Sequence, residues 1–357
     1  MNLNKMMDQG IAQIMTTAGR FYLNNAKGRA FLMSVLPELA KSRARRKQQE
    51  KAGLQVPPFL IASIASQCNL HCAGCYARAG GGCGTTSGKT DMDAGQWGNV
   101  FDQAAKLGVA FILLAGGEPF LRRDILELAG EYQNVIFPIF TNGTMLDQET
   151  IEFLDNHRNL IPILSIEGNA KETDSRRGAG THEQIEAAMA ALKKRKILFG
   201  AAITVTRENM ALVTRNDFLE ALEDKGCGVN LYVEYVPAEP GTDYLVLTQS
   251  EIKQLQAICL ELRESFRRMV ILSFPGDEEE MGGCLASGRG FFHINPFGDA
   301  EPCPFSPHAK QNLTSDSVEA VLRSQYFADL REIAVKTGNH GGCTLFEVND
   351  QIEKLLA

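Results

Sequence analysis

Short apolar runs alternate with longer amphipathic segments from Phe59 onward. The runs read FLIASIA, VAFILLA, VIFPIFT, LIPILSI, FGAAITV and VNLYVEYV, and the segments between them repeat apolar residues at helical spacing. Runs of this length that are rich in β-branched residues are typical of buried strands, and parallel strands need crossover connections. The pattern predicts an α/β fold with six β/α units, arranged as a partial (β/α)6 barrel of the TIM type.

Polar residues and glycines follow the carboxyl ends of these predicted strands. Because the loops behind the strands of parallel barrels carry the active site, we expect these residues to meet on one rim. The first strand runs into a cysteine-rich loop. The later strands end in, or are followed by, Gly116, Gly117, Glu118, Thr141, Asn142, Ser165, Glu167 and Thr204.

Cys68, Cys72 and Cys75 form a Cys-x3-Cys-x2-Cys loop behind the first strand. Three thiolates at this spacing can hold an iron–sulfur cluster and leave one iron open to a substrate or cofactor. Zinc is the alternative on spacing alone, with His71 or a distant residue as the fourth ligand. The glycines behind the second strand would let a ligand approach the backbone closely, and Glu118 could meet a cationic amino group.

The alternation of strands and helices ends after the sixth strand. Prolines at 237 and 240 end the β/α pattern, a helical stretch covers about 248–270, and a Gly-rich tail contains Cys284, Cys303 and Cys343. We interpret this tail as a small second domain that contains a metal. The predicted organisation is a basic helical leader (1–58), the barrel (59–240), a helical linker (241–283) and the cysteine-containing domain (284–357).

The amino-acid composition favours some classes of protein and excludes others. The 357 residues are 44% hydrophobic and 22% charged with a net charge of −7, which fits a soluble globular protein and argues against a nucleic-acid partner. Nine cysteines, an odd number, fit free thiols or metal ligands in a reducing compartment. Because no signal sequence or membrane-length apolar run is present, we expect a cytoplasmic protein.

The leader differs from the rest of the chain in charge. Residues 1–58 contain ten Lys or Arg against three Asp or Glu, and apolar residues recur between the basic ones. One hypothesis is an amphipathic helix that lies on an acidic lipid surface or an acidic partner. The other is a helix that closes the bottom or side of the barrel. We assign no catalytic role to this segment.

Four short motifs resemble the radical S-adenosylmethionine (radical SAM) superfamily. They are CNLHCAGCY at 68–76, AGGEP at 115–119, SIEG at 165–168 and DSRRG at 174–178, and the likeness is to the branch with a SPASM or twitch auxiliary domain. The resemblance implies an oxidoreductase that cleaves S-adenosylmethionine reductively to methionine and a 5′-deoxyadenosyl radical, which abstracts hydrogen from a substrate. It also implies a low-potential electron donor of the flavodoxin or ferredoxin type.

The resemblance also assigns roles to residues. The three cysteines of the Cys-x3-Cys-x2-Cys loop become ligands of a catalytic [4Fe–4S] cluster, and Gly116, Gly117 and Glu118 contact the methionyl amino group. Ser165 and Glu167 face the ribose or carboxylate, although Asp is commoner than Glu at the second position. Further cofactor-binding candidates are Thr141, Asn142, Thr204, Arg176 and Arg177. The two arginines suit a carboxylate partner, and the alternative for each is a solvated loop residue.

The tail carries part of the same resemblance. Cys284, thirteen residues, Gly298, four residues and Cys303 resemble the opening of SPASM and twitch domains, but only Cys343 follows. The resemblance therefore implies one auxiliary [4Fe–4S] cluster, whose fourth iron is free, bound by an exogenous group or bound by a remote cysteine. Two auxiliary clusters are excluded on this pattern.

Three further cysteines lie outside these motifs. We interpret Cys227 and Cys259 as buried free thiols, and Cys83 either as an exposed thiol of a glycine loop or as a hydrogen donor near the radical. The predicted function is radical SAM chemistry on an unidentified substrate, with peptide modification as the commonest role of similar proteins. The alternatives are cofactor-precursor or lipid biosynthesis and, in another class, a zinc-stabilised non-catalytic binding protein.

Overall fold

One sheet of nine strands forms the centre of the computed structural model, which describes residues 3–84, 88–337 and 343–356. The strands are β1 Phe59–Ala65, β2 Phe111–Gly116, β3 Phe137–Thr141, β4 Leu160–Ser165, β5 Gly200–Val205, β6 Val229–Glu234, β7 Val270–Phe274, β8 His293–Ile294 and β9 Ala300–Glu301. Their order is β7-β6-β5-β4-β3-β2-β1-β8-β9. Neighbours from β7 to β8 are parallel, and β9 is antiparallel to β8.

Helices connect the parallel strands and extend the chain at both ends. The α-helices of the described residues are α1 Leu3–Tyr22, α2 Ala26–Lys51, α3 Tyr76–Ala79, α4 Ala94–Leu107, α5 Arg123–Gly130, α6 Gln148–Asn156, α7 Ala170–Arg177, α8 Thr181–Lys194, α9 Met210–Val213, α10 Asn216–Asp224, α11 Gln249–Ser265, α12 Val318–Arg323, α13 Gln325–Thr337, α14 Thr344–Glu347 and α15 Asn349–Leu356. Capping residues determine where several of these helices begin and end. Helix α4 begins at a capping box on Asp93 and ends at Gly108 in the left-handed conformation.

The predicted α/β barrel with its six strands is confirmed, and the structure adds a seventh parallel strand at one edge and the short strands β8 and β9 at the other. Strand β7 lies inside the segment that we predicted as a helical linker, and it pairs with β6 from Val229↔Val270 to Val233↔Phe274. The predicted helix ends earlier, at Ser265, and the β-branched run behind it forms the strand. The segment is therefore a further β/α unit of the same sheet.

Alternation along each strand divides its side chains between an outer and an inner face. In β1, Leu60, Ala62 and Ile64 are fully buried in the main core, together with Trp97 of α4. Ile61 points to the opposite, inner face, and its partner across the parallel ladder is Leu113. The inner face surrounds the barrel interior, whereas the outer face packs against the helices.

Helices α1 and α2 close the amino-terminal end of the barrel interior. Their apolar side chains share one buried cluster with inner-face residues of β2, β4 and β5. This packing matches the hypothesis that the leader closes the bottom of the barrel. Among the described residues, no helix has the length and apolar character that crossing a bilayer requires. The helix residues of the cluster are Met15, Ala18, Tyr22, Phe31, Leu32 and Val35.

Phe31→Ala will test how much this closure contributes to stability. The ring is 7% exposed and meets Tyr22 edge-on with 5.6 Å between ring centroids. Removing it leaves a cavity, so we expect the free energy of unfolding in urea to fall by about 3–5 kcal/mol. Met33→Ala on the same helix is the control, because Met33 is 78% exposed and should change stability by less than about 0.5 kcal/mol. Equal effects would contradict the closure.

Candidate active site

The three predicted ligand cysteines lie between β1 and α3, and each of them is partly exposed. Hydrogen-bond donors lie near two of the sulfurs. The Leu70 N–H is 3.4 Å from Cys68 Sγ, and the Asn142 amide nitrogen is 4.0 Å from the same sulfur. The Arg177 Nη1 is 4.0 Å from Cys72 Sγ. Donors of this kind stabilise thiolates and the anionic cluster that thiolates hold.

Contacts with helix α7 and with the segment after β6 fix the backbone of the cysteine loop. The Ala73 N–H donates to the carbonyl of Arg176 at 2.9 Å, and the Arg176 Nε donates back to the Ala73 carbonyl at 3.1 Å. The Gly74 N–H donates to Glu239 Oε2 at 2.7 Å. Tyr235 packs so closely that a Cβ on Gly74 would lie 2.4 Å from its hydroxyl. Sequence reasoning did not assign this supporting role to Glu239 or Tyr235, because their contacts with the loop are long-range.

Gly116 and Gly117 allow the loop behind β2 to touch the cysteine loop. The Gly117 N–H donates to the Ala65 carbonyl at 2.6 Å, and a Cβ on Gly117 would lie 1.9 Å from the Gln67 carbonyl oxygen. Gly116 has a φ of +128°, which side chains rarely adopt. By sequence, we expected these glycines to let a ligand approach the backbone closely. In the structure, the close approach is between two backbones of the protein.

Glu118 connects the loops behind β2 and β3. It is 1% exposed, and its Oε1 accepts from Thr141 Oγ1 at 2.8 Å and from the Phe120 N–H at 3.2 Å. Its Oε2 accepts from the Asn142 N–H at 2.9 Å. Burial raises the pKa of Glu118, and these hydrogen bonds offset part of the increase. Most of the acceptor capacity of the carboxylate is therefore used to position Thr141 and Asn142.

Glu167 pairs with both arginines of the DSRRG motif. Its Oε1 accepts from Arg176 Nη1 at 2.7 Å and from Arg177 Nε at 3.0 Å. Burial lowers the pKa of Arg177, but Glu167 and Cys72 outweigh that effect and hold the pKa above its usual value. The arginines are therefore paired with a buried carboxylate and are not solvated loop residues. The other oxygen, Glu167 Oε2, is buried and has no hydrogen-bond partner among the described residues.

Ser165 and Thr204 lie at the ends of β4 and β5 and are half-buried at the rim. Asn209, which sequence reasoning missed, connects their loops. Its amide nitrogen donates to the carbonyls of Glu167 at 3.0 Å and Thr204 at 2.9 Å, and its Oδ1 accepts from the Thr206 N–H at 2.8 Å. The sequence offered one indication of this role: Asn209 lies four residues after the end of β5, where an Asn side chain commonly binds the backbone of a turn.

The tail cysteines Cys284, Cys303 and Cys343, the predicted ligands of an auxiliary cluster, lie near enough to one another to influence each other's pKa. The β8–β9 hairpin, with Gly298 at a φ of +89°, carries the chain to Cys303. Burial raises the pKa of the Cys303 thiol, and contact with Cys343 and the proximity of Cys284 raise it further. Burial, the Glu278 carboxylate and Cys343 likewise raise the pKa of Cys284. Three thiols in this arrangement resist ionisation unless a metal compensates their charge.

Cys83 is buried, at 1% exposure, although we predicted an exposed loop thiol. Burial raises its pKa to about 11, and the neighbouring Cys75 and Cys68 add to this shift. The Gly84 N–H, next in the chain, donates to the Ser66 carbonyl at 2.8 Å and folds the loop against the end of β1. Cys227 and Cys259 are buried, as predicted for free thiols.

The donors around the first cysteine group fit an iron–sulfur cluster. No three or more His, Cys, Asp or Glu side chains in the described ranges surround a single metal-ion position. A cluster places its thiolate ligands on separate irons, so it does not require that arrangement. The donors near Cys68 and Cys72 suit an anionic group, and the unpaired Glu167 Oε2 suits a cofactor that brings its own hydrogen-bond donors.

Solved structures support the same fold. Streptococcus suis SuiB bound to S-adenosylmethionine matches with a TM-score of 0.66 at 16% identity, over 82% of this chain and 72% of that one. At this level of identity the likeness shows the fold alone.

Curated relatives match over most of their own length. The AdoMet-dependent heme synthase of Methanosarcina barkeri is 27% identical over 80% of this chain and 88% of its own. The PqqA peptide cyclase of Rhizobium meliloti is 27% identical over 74% and 72%, respectively. The mycofactocin maturase MftC of Mycolicibacterium smegmatis is 26% identical over 80% and 75%.

The family model "Radical SAM superfamily" matches residues 63–224, which include the cysteine loop, the GGEP loop and the DSRRG motif. The match and the named relatives confirm the predicted enzyme over the non-catalytic zinc protein. They also imply the predicted cofactors, S-adenosylmethionine and a [4Fe–4S] cluster. Residues 63–224 of this chain form a radical SAM domain.

Proposed function

We propose that this radical SAM enzyme modifies a peptide, by abstracting a hydrogen atom from one of its side chains. The observation that carries the proposal is the convergence on one rim of the Cys-x3-Cys-x2-Cys loop, the Glu167–Arg177 pair and the Glu118-supported loop. The second cysteine group adds a site for an auxiliary cluster of the SPASM or twitch type. We also place the protein in the cytoplasm, because nine free cysteines suit a reducing compartment.

We assign separate roles to the residues of the rim: binding the cluster, stabilising its charge and contacting the cofactor. Cys68, Cys72 and Cys75 would hold the cluster, which when bound supplies the electron that cleaves the sulfonium of S-adenosylmethionine. Arg177 would lie beside the Cys72 sulfur and favour the reduced state, since a nearby cation stabilises added negative charge. Glu167 would hold that cation in place and offer its free oxygen to a cofactor hydroxyl or amine.

The remaining rim residues would shape the cofactor pocket. Thr141 and Asn142, fixed by Glu118, would face the cofactor beside the cysteine loop. Ser165 and Thr204 would face it from β4 and β5. A low-potential donor of the flavodoxin or ferredoxin type would deliver the electron.

The auxiliary site would bind a [4Fe–4S] cluster through Cys284, Cys303 and Cys343. Their mutually raised thiol pKa values support this assignment, because iron would replace the protons that the buried sulfurs retain. A second cluster beside the substrate could take up an electron after hydrogen abstraction.

The names of the relatives suggest two substrate classes, a peptide and a cofactor precursor. A peptide is favoured because a peptide cyclase and a maturase are among the relatives that match most of this chain. A cofactor precursor is the second candidate, because the heme synthase matches the largest share of its own length among these three. Within residues 3–84, 88–337 and 343–356, no feature favours a lipid substrate.

Anaerobic reconstitution will test the proposed chemistry. With S-adenosylmethionine and dithionite, the wild-type protein should form 5′-deoxyadenosine and methionine, which mass spectrometry measures. The Cys68→Ala, Cys72→Ala, Cys75→Ala triple variant should form neither, because no cluster can bind. A Cys284→Ala, Cys303→Ala, Cys343→Ala triple variant should keep this cleavage but lose about half of the bound iron. A colourless, zinc-loaded wild-type protein without product would refute the proposal.

A further inference from the structure

A buried carboxylate lies beside the first cysteine of the tail. Glu278 is 4% exposed and ends the short 3-10 helix Gly276–Glu278, which follows β7. Its carboxylate accepts a hydrogen bond from the Leu285 N–H at 2.9 Å and another from the Cys284 thiol. Glu278 therefore contacts a residue that we assign to the auxiliary cluster. A carboxylate lies outside any cysteine spacing, so the sequence did not indicate this contact.

Backbone hydrogen bonds hold this carboxylate in place. The Glu278 N–H donates to the Pro275 carbonyl at 2.7 Å, and the Glu278 carbonyl accepts from the Gly283 N–H at 2.8 Å. Gly283 has a φ of +100°, which residues with a side chain rarely adopt. The chain from Glu278 to Cys284 therefore forms a closed loop whose two end residues contact each other.

No cation within the described residues pairs with this carboxylate. Asp277, the preceding residue, pairs with Arg263 at 2.5 Å, whereas no Lys, Arg or His of the described ranges forms an ion pair with Glu278. Arg289 lies near Glu278, but its Nη atoms donate to backbone carbonyls instead. Buried charges are normally paired or bound to metals, because an isolated charge is costly to bury. The carboxylate is therefore suited to a metal.

Together with Glu278, the tail offers four donor side chains. Cys303 and Cys343 contact each other, and Cys284 lies near both of them. A [4Fe–4S] cluster takes one ligand on each iron, so these donors need not share a single metal position. Clusters also accept ligands other than cysteine, as the histidines of Rieske centres show. The carboxylate can thus bind the iron that the three cysteines leave open.

The other cysteines of the described ranges lie among different partners. Cys83 lies beside the cysteines of the first loop. The Cys227 thiol donates to the Val229 carbonyl at 3.1 Å, and the Cys259 thiol contacts Ser273. These contacts favour Glu278 over a remote cysteine as the fourth donor.

We propose that Glu278 is the fourth ligand of the auxiliary [4Fe–4S] cluster, together with Cys284, Cys303 and Cys343. The inference rests on the auxiliary cluster of the proposed function and specifies how its fourth iron is held. A carboxylate oxygen donates less charge to iron than a thiolate does. It should therefore raise the reduction potential of the cluster, as histidine does in Rieske centres.

Iron analysis tests the ligand without any turnover. The background protein is the full chain with Cys68→Ala, Cys72→Ala and Cys75→Ala, in which only the auxiliary site binds a cluster. After anaerobic reconstitution and mild oxidation with ferricyanide, it should retain about four irons per chain, because every iron has a protein ligand. Adding Glu278→Gln should leave about three irons and the EPR signal of an oxidised [3Fe–4S] cluster. Glu280→Gln, at an exposed position nearby, is the control and should lose no iron.

Glu278→Cys distinguishes a lost ligand from a folding defect. A thiolate at this position can replace the carboxylate, so this variant should retain the fourth iron. Its cluster should also have a lower potential than that of the background protein in a redox titration. Full retention of iron by Glu278→Gln, or loss of the fourth iron from the background protein itself, would overturn the inference. Loss of all iron from both Glu278 variants would make the residue structural and overturn it as well.

The inference and the proposed function can fail separately. Cleavage of S-adenosylmethionine by the wild type tests the function and depends on the first cysteine group, which the background protein lacks. If the wild type cleaves S-adenosylmethionine and the fourth iron does not depend on Glu278, only the inference fails. If the background protein binds no iron at all, the proposed auxiliary site is wrong, and Glu278 has no cluster to bind.

Discussion

Gly117→Ala is expected to lose nearly all cleavage of S-adenosylmethionine. Its Cβ would lie 1.9 Å from the Gln67 carbonyl oxygen and 3.0 Å from the backbone nitrogen of Cys68. Because neither atom belongs to a flexible side chain, the cysteine loop must move. A displacement of about 1 Å can cost about 100-fold in rate, so we expect a decrease of at least that size. Formation of 5′-deoxyadenosine by the reconstituted variant, measured against bound iron, provides the test.

Gly10→Ala is the matched control for this prediction. Gly10 lies inside α1, and a Cβ there would meet no atom within 4 Å. Alanine favours helices over glycine by about 1 kcal/mol, so this variant should cleave normally and be slightly more stable. If Gly117→Ala also retains full activity and iron content, the contact between the two loops is not essential to the site.

Glu167→Gln is expected to lower both the stability of the chain and its cluster content. Glu167 is 2% exposed and is the shared carboxylate partner of Arg176 and Arg177, whose side chains are 20% and 11% exposed. Removing the negative charge leaves both guanidinium groups without their counterion. Breaking a buried pair in this way costs about 3–5 kcal/mol, which urea unfolding of the full chain measures.

The variant should also disturb the cluster loop. Arg176 binds the Ala73 carbonyl, and Arg177 lies beside the Cys72 sulfur, so a loosened pair should lower the iron content after reconstitution. Asp217→Asn is the matched control, because it neutralises a carboxylate that pairs with Arg215 in full contact with solvent. Its unfolding and iron content should match the wild type. Similar losses in both variants would assign the effect to net charge alone.

The sequence predicted the site best where the information was local. The spacing of Cys68, Cys72 and Cys75, and their position behind a strand, required only the strand pattern and the parallel-barrel rule. The same reasoning placed Ser165 and Thr204 at the rim. It failed in the segment around β7, because a short apolar run behind a long helix reads equally well as helix or strand.

The partners of charged residues could not be read from the sequence. Arg176 and Arg177 suited a substrate carboxylate by residue type, but the turn from β4 into α7 brings Glu167 to both of them. Glu118 suited an amino group, yet it accepts hydrogen bonds from the neighbouring loop. Side-chain pairing depends on distances that arise only when separate loops fold together.

By itself, the sequence determined the class of fold, the ligand spacing and the family, because strand and helix periods and short metal motifs are properties of contiguous residues. Only the tertiary structure decided that the leader closes the barrel floor, that Gly117 serves a contact between two loops, and that Glu167 pairs with both arginines. These features join separate elements of the chain. Their geometry follows from strand register and packing, which no local pattern encodes.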